Sequence, residues 1–290
     1  MPRTLPLKAS DFYDTHPGPD HRTGDLWSQL PAFGINGRDE VTGLVITPAC
    51  DLANQKCEAI TYLPVIPLRE YLGSASFRHE CWIEASHVLA KSDVFQAVTV
   101  PDRFKLPDRQ EVEDVISNLA AASPRKATET ELKRARAYLE YLNCRESPAP
   151  AELVEALIKA DRYGQYVDRI VTNALKADIH FLPADGQPSQ ASAIPEHGVV
   201  LFRRPITIDL EILDVAQEST AAQWARLIKE KAHPLRVSPH IKRWPIKLST
   251  LRGEFLGDLL SRYVSMYIRL GSTDFSRTTI DGIVADMRTK

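Results

Sequence analysis

Cys50-Asp51 stands at the end of an apolar run, where a thiol beside a carboxylate could act as a nucleophile with His79 or His87 arriving as its base. The neighbouring carboxylate works against this, because a nearby negative charge raises the thiol pKa and leaves less thiolate. The simpler reading is a small apolar Cys50 and an Asp51 that caps the short turn Leu52-Ala53-Asn54. Cys50, Cys57, His79 and Cys81 offer the sulfur and nitrogen ligands that zinc takes, but they lack the two close ligand pairs of a structural zinc site. No other metal or cofactor is expected. His16, His21 and His180 are isolated, which suits surface or hydrogen-bonded core positions better than catalysis.

A second group of residues suggests binding. Between Arg226 and Arg252 lie Arg226, Lys229, Lys231, Arg236, Lys242, Arg243, Lys247 and Arg252, with His233 and His240, against the single acid Glu230. Arg236, His240, Lys242, Arg243, Trp244 and Lys247 are the candidate nucleic-acid contacts. Cations hold a phosphate backbone while an aromatic ring stacks a base, the latter worth about 1–3 kcal/mol. The same segment also reads as a solvated loop and strand pair. A net charge of −2 excludes a protein coated in positive charge.

The elements that must position these residues come from the apolar pattern. A chain of 290 residues, 43% apolar and 26% charged, is long enough to bury a large core. No apolar run approaches the roughly 20 residues needed to cross a bilayer, and Met1 to Pro6 lacks a signal-peptide core. A cytoplasmic protein without membrane contact is expected, with the four cysteines reduced. Gly24–Trp27, Val41–Pro48, Ala59–Leu68 and Gly198–Asp209 read as strands of one small barrel. Pro64 and Pro67 place the third of these at an edge or at a bend, and Arg203-Arg204-Pro205 bends the last. Leu235–Val237 and Trp244–Leu248 could add a hairpin.

Helical spacing fills the gap between the third strand and the fourth. Ala75–Lys91, a stretch around Val112, Val115, Ile116 and Leu119, Thr128–Leu142 and Ala151–Ala177 all read as helices. Thr128 and Glu131 match a capping box, and Gly164 is the expected kink. His180 to Pro183 leads into a turn-rich loop. A last amphipathic helix is expected from near Ser249, with Leu251, Phe255, Leu259, Tyr263, Tyr267 and Leu270 on one stripe and Gly271 as its stop. The expected fold class is α+β: residues 1–72 form the first half of a barrel, 73–179 a mainly helical insert, and 180–290 the second half plus the terminal helix.

The order of Gly24-Asp25-Leu26-Trp27, an apolar strand ending in Thr47-Pro48, a strand ending in Pro64-Val65-Ile66-Pro67, then Gly198-Val199-Val200 and Pro205-Ile206-Thr207-Ile208-Asp209, resembles the PemK/MazF-type toxins. The resemblance implies an SH3-like barrel with a closing helix, and it gives the helical insert no counterpart. Thr47 to Leu52 also resembles a strand-then-Cys-Asp-Leu signature of uncharacterised bacterial proteins with a similar terminal helix. The toxin resemblance implies metal-independent endoribonuclease chemistry, in which an Arg stabilises the phosphate charge and an acid, His or Thr moves the 2′-hydroxyl proton. Where some members carry Arg-x-Asp after Gly-Val-Val this chain has Leu201-Phe202-Arg203, and an Arg-Pro pair is replaced by Val41-Thr42. Arg38, Thr47, Asp51, Arg203, Arg204 and Asp209 are therefore the candidates to rebuild a site. The expected function is a non-catalytic or catalytically altered barrel of a bacterial toxin–antitoxin or anti-phage locus. It would bind a partner protein from the same locus, RNA or DNA, with the insert as docking surface. An active endoribonuclease and a cysteine- or zinc-dependent enzyme are the alternatives, and a homodimer is open.

Overall fold

The computed structural model describes residues 8–16, 18–54, 56–89, 109–121, 126–144, 148–184, 194–229 and 240–268. The strands are β1 (Tyr13–Asp14), β2 (Asp25–Pro31), β3 (Glu40–Val45), β4 (Ala59–Pro67), β5 (Ile179–Leu182), β6 (Gly198–Leu201), β7 (Ile206–Asp209) and β8 (Ile246–Leu251). They form one antiparallel sheet in the order β1-β8-β2-β3-β4-β6-β5, with β7 also on β4. Among the described residues this path stays open between β1 and β5. Helices α1 (Ala49–Ala53), α2 (Leu68–Gly73), α3 (Arg78–Leu89), α4 (Arg109–Ala121), α5 (Lys126–Tyr141), α6 (Ala151–Leu157) and α7 (Ala160–Val171) precede β5. After β7 come α8 (Glu211–Glu218), α9 (Ala221–Lys229) and α10 (Gly253–Ile268). The fold class is α+β, as expected.

The strands read as continuous apolar runs because both faces of the sheet are covered. Successive strand residues point to opposite sides. Leu26, Leu44, Leu63, Val65, Val200 and Leu251 of the strands join Leu259 of α10 in one buried cluster. Trp27, Val45, Tyr62, Ile66 and Val199 enter the other, together with Leu72 of α2 and Phe77, Val115, Tyr138 and Val154 of the helical insert. The insert thus shares its core with the sheet.

β4 explains its own prolines. One edge pairs with β3 from Tyr62 to Val65, while the other pairs with β7 from Ala59 to Tyr62 and with β6 from Val65 to Pro67. Leu63 and Pro64 fall in the gap where the second edge changes partner, so the missing donor at Pro64 costs no ladder bond there. The expectation of an edge strand is corrected: β4 is central, and the interruption lies in its neighbour. That interruption is Phe202 to Pro205, where the bend was expected.

Other expectations shift at element ends. β8 runs on to Leu251 because Asp25 and Leu26 pair with Thr250 and Ser249, and Tyr13 with Leu251; the terminal helix therefore starts at Gly253. Ile179 to Leu182 form a strand against β6 that the sequence reading did not assign, and the turn-rich run after it lies, from residue 185, outside the described residues. The helix expected to start at Thr128 starts at Lys126. The break between α6 and α7 lies at Ile158-Lys159, with Gly164 inside α7. Leu235–Val237, Leu270 and Gly271 lie outside the described residues.

Buried charge ties the insert together. Glu84 of α3 pairs with Arg134 of α5 at 3.1 Å and with Arg162 of α7 at 2.8 Å, and accepts a 3.1 Å hydrogen bond from the Tyr166 hydroxyl. Arg134 also donates to the Leu157 carbonyl at 2.8 Å. Burial lowers the Arg134 pKa, against the opposing pull of Glu84.

Candidate acidic cleft and the dispersed candidate site

β4 has nine residues, so its ends stand about 26 Å apart at roughly 3.3 Å per residue. This length separates the sequence candidates. At the Ala59 end, the Asp209 backbone is paired with Ala59. The Thr47 hydroxyl there accepts the Thr61 N–H at 2.7 Å, and the Thr47 carbonyl accepts the Thr23 hydroxyl at 2.6 Å. Thr47 is buried and its polar groups are engaged in closing the strand end. Beyond the Pro67 end, Arg38 pairs with Glu70 of α2, which also accepts the Asn36 amide at 3.0 Å. Arg203 and Arg204 stand midway, before β7, and Arg203 pairs with Asp178 at 2.8 Å. Arg38, the Arg203-Arg204 pair and Asp209 are not brought together.

The basic segment is similarly occupied. Lys242 pairs with Asp39, and Arg243 with Glu40 at 3.5 Å. Lys247 is buried, and its three protons go to Asp25 at 2.8 Å and to the carbonyls of Asp20 (2.7 Å) and Gly18 (3.1 Å). Asp25 in turn accepts the Thr250 hydroxyl at 2.6 Å and the Arg22 N–H at 2.7 Å. Lys247 therefore stitches β8 to β2 and cannot also hold a phosphate. The Trp244 ring is half-buried and its N–H donates to the Ala216 carbonyl at 2.7 Å, anchoring α8. His240 is exposed beside Phe33. Arg236 lies outside the described residues.

The thiols also disperse. Cys50 is exposed on α1, with its S–H 3.6 Å from Asp51. Asn54, not Asp51, closes that turn, donating its amide to the Cys50 carbonyl at 2.6 Å. His79, Cys81 and His87 are on α3, where burial pushes the Cys81 thiol up to about 12 and makes it a poor nucleophile at neutral pH. Cys57 is half-buried. Among the described residues no group of three His, Cys, Asp or Glu side chains could hold a metal ion.

What the Ala59 end does build is an open cleft of about 1310 Å³ between α1, α8 and the segment Pro19–Arg22. Asp20, Glu58, Asp209, Glu211, Asp214 and Glu218 line it, against Arg22 and His21. Leu52, Ala53 and Leu210 add apolar surface. Carboxylates gathered along low-dielectric walls focus a negative potential, which attracts cations and repels phosphates. His21 donates its Nε2–H to the Asp214 carboxylate at 2.8 Å, tying the segment to α8, and its ring lies 5.7 Å from Trp27. Its other nitrogen, Nδ1, is buried and has no hydrogen-bond partner, so it reaches no substrate in the cleft. His21 serves here as a clip.

Of the six acids only Asp209 was singled out in the sequence. Glu211, Asp214 and Glu218 share the i, i+3, i+7 spacing of one face of α8, a local signal that could have marked them, whereas Asp20 and Glu58 come from distant segments that no spacing connects to it. No protein-family model, curated protein or solved structure matches the chain. No helix among the described residues is long and apolar enough to cross a membrane.

Proposed function

We propose that this chain is a non-catalytic binding protein, built on a PemK/MazF-like barrel framework, that docks a partner protein by taking a positively charged segment into the acidic cleft. The observation that carries this reading is the lining of that cleft, six carboxylates against one Arg and one His. The separation of the candidate phosphoryl-transfer residues along β4, with Arg38 and Arg203 each held by an acid, supports a role without catalysis. A partner encoded at the same bacterial toxin–antitoxin or anti-phage locus fits it.

Titration of the purified protein with a short labelled oligolysine peptide tests the reading. Binding is expected at low salt and should weaken as salt rises, because the attraction is Coulombic. Asp209→Asn combined with Glu218→Gln should weaken it several-fold, since both carboxylates are on the exposed rim and neither supports the core. Equal affinity in the variant, or no binding at low salt, would sink the proposal. Parallel incubation with mixed-sequence RNA and DNA covers the alternative: RNA cleavage that disappears on Arg203→Ala with Arg204→Ala would restore the endoribonuclease.

A further inference from the structure

Strand β7 is bonded along one edge. The Leu210 N–H donates to the Glu58 carbonyl at 2.9 Å, and the register continues with Ile208 opposite Ile60 and Ile206 opposite Tyr62. In an antiparallel ladder, residues that exchange bonds with the partner alternate with residues whose N–H and C=O point the other way. Ile206 and Ile208 therefore bond to β4, and the backbone groups of Thr207 and Asp209 point away from it. Among the described residues no strand pairs with that outer edge. Thr207 and Asp209 are exposed, while Ile206 and Ile208 pack their side chains into the large core.

The slot beside β7 continues the position of β5. β5 covers the outer edge of β6 from Gly198 to Leu201, and the chain entering β5 closes that end: the Phe202 N–H donates to the Asp178 carbonyl at 3.0 Å, and Arg203 pairs with the Asp178 side chain. Beyond this cap β7 runs for four residues to Asp209, on the rim of the acidic cleft. An open edge is a template for another strand unless charge, proline or cover protects it. The one charge in β7 is Asp209, at the cleft end, and Pro205 lies before the strand. The edge thus suits an extended segment that brings a cation to Asp209.

We propose that the partner's positively charged segment adds a strand to β7, antiparallel to it as β5 is to β6. β7 runs towards the cleft, so the added strand starts there and its N-terminal residues carry the cations. This rests on the cleft reading above and supplies its mode of binding. Main-chain bonds to Thr207 and Asp209 give affinity, while a cation beside Asp209 and a β-branched residue beside Thr207 fix the register. A cationic helix lying along Glu211, Asp214 and Glu218 of α8 is the competing occupant, and it leaves the β7 edge unused.

The probe is a labelled peptide with a lysine run followed by alternating threonine and valine, titrated into the full chain at low salt. Two further forms carry N-methyl groups on alternate amides of the threonine–valine part, one form for each phase. N-methylation removes the donor and blocks pairing on that edge of the peptide alone. One phase should weaken binding by more than about tenfold, because the bonds to β7 are lost, and the other should bind like the parent. Thr207→Pro removes the outward donor at an edge position that proline tolerates; it should keep the melting temperature and weaken the parent peptide several-fold. If that variant does not fold, the two methylated forms decide alone. Equal affinity of the methylated forms, or tighter binding of an alanine-rich helical peptide with lysines at i, i+3 and i+7, would overturn strand addition. Oligolysine bound under the same conditions would then leave the cleft reading standing, whereas no binding of either probe removes both.

Discussion

His180 shows what burial does to a titratable side chain in this sheet. It lies in β5 with its ring stacked on Phe202 at 6.3 Å, and its Nδ1 is buried without a hydrogen-bond partner. Burial lowers its pKa from 6.5 to about 4; Asp258 of α10 opposes that shift and Arg262 adds to it. In the unfolded chain the imidazole titrates at its ordinary value, so below that pH the unfolded state takes up a proton that the native state refuses. The contribution of neutral His180 is therefore complete above pH 6.5 and lost as pH falls from 6.5 towards 4, amounting to about 3 kcal/mol. Melting temperatures across that window should fall less steeply for His180→Gln than for the wild type. Parallel limbs would mean that the protonated ring finds a partner. The sequence offered His180 only as one of three isolated histidines. Lys247 was misread for a related reason: a lysine in a basic run looks solvated, and its buried partner Asp25 is on a strand at the far end of the chain.

At the scale of elements, the strands were legible and their ends were not. A short apolar run in a sheet buried on both faces is a local pattern, and it located β2, β3, β4, β6 and β7. The ends of β8 and α10 depend on which strand pairs with Ser249 to Leu251, which no local window contains. The cleft was legible only in one wall, the acidic face Glu211, Asp214 and Glu218 of α8; its meeting with Asp20 and with Glu58 before β4 is again a long-range fact. The join between sheet and insert is a comparable long-range fact. Gly73 ends α2 against the segment leading into α6, where the Ala149 N–H donates to the Gly73 carbonyl at 2.9 Å. A Cβ on Gly73 would stand 2.0 Å from the Ala149 carbonyl oxygen, with two further backbone atoms at 2.9 Å. Backbone, unlike the end of a side chain, cannot turn aside. Gly73→Ala should therefore push α6 off α2 and destabilise the protein by about 1–3 kcal/mol, the usual cost of overpacking, measured as a lowered urea midpoint. An unchanged midpoint would show that the 148–150 segment yields without strain.

For the whole molecule, the question is whether an insert so long in sequence is an appendage or part of one folding unit. The buried cluster that holds Trp27, Tyr62 and Ile66 of the sheet also holds Tyr71, Val115, Tyr138 and Leu157 of the helices and Phe77 of the turn between α2 and α3. Within it Phe77 meets Tyr71 at 5.8 Å and Tyr166 at 5.6 Å, ring edge towards ring face. Apolar contacts that cross from sheet to helices couple their stabilities, because opening either exposes the face of the other to water. The Glu84 network adds to this, since removing one partner of a buried ion pair leaves an uncompensated charge in the interior. Sheet and insert should therefore unfold together. Trp27 reports the sheet and Trp82 the insert, both from buried positions, so variants that keep one of these tryptophans give separate fluorescence signals. Their urea midpoints should coincide with each other and with the loss of far-UV circular dichroism. A Trp82 transition that precedes that of Trp27 would make the insert a separable layer, held on the sheet by contacts weaker than those within either part.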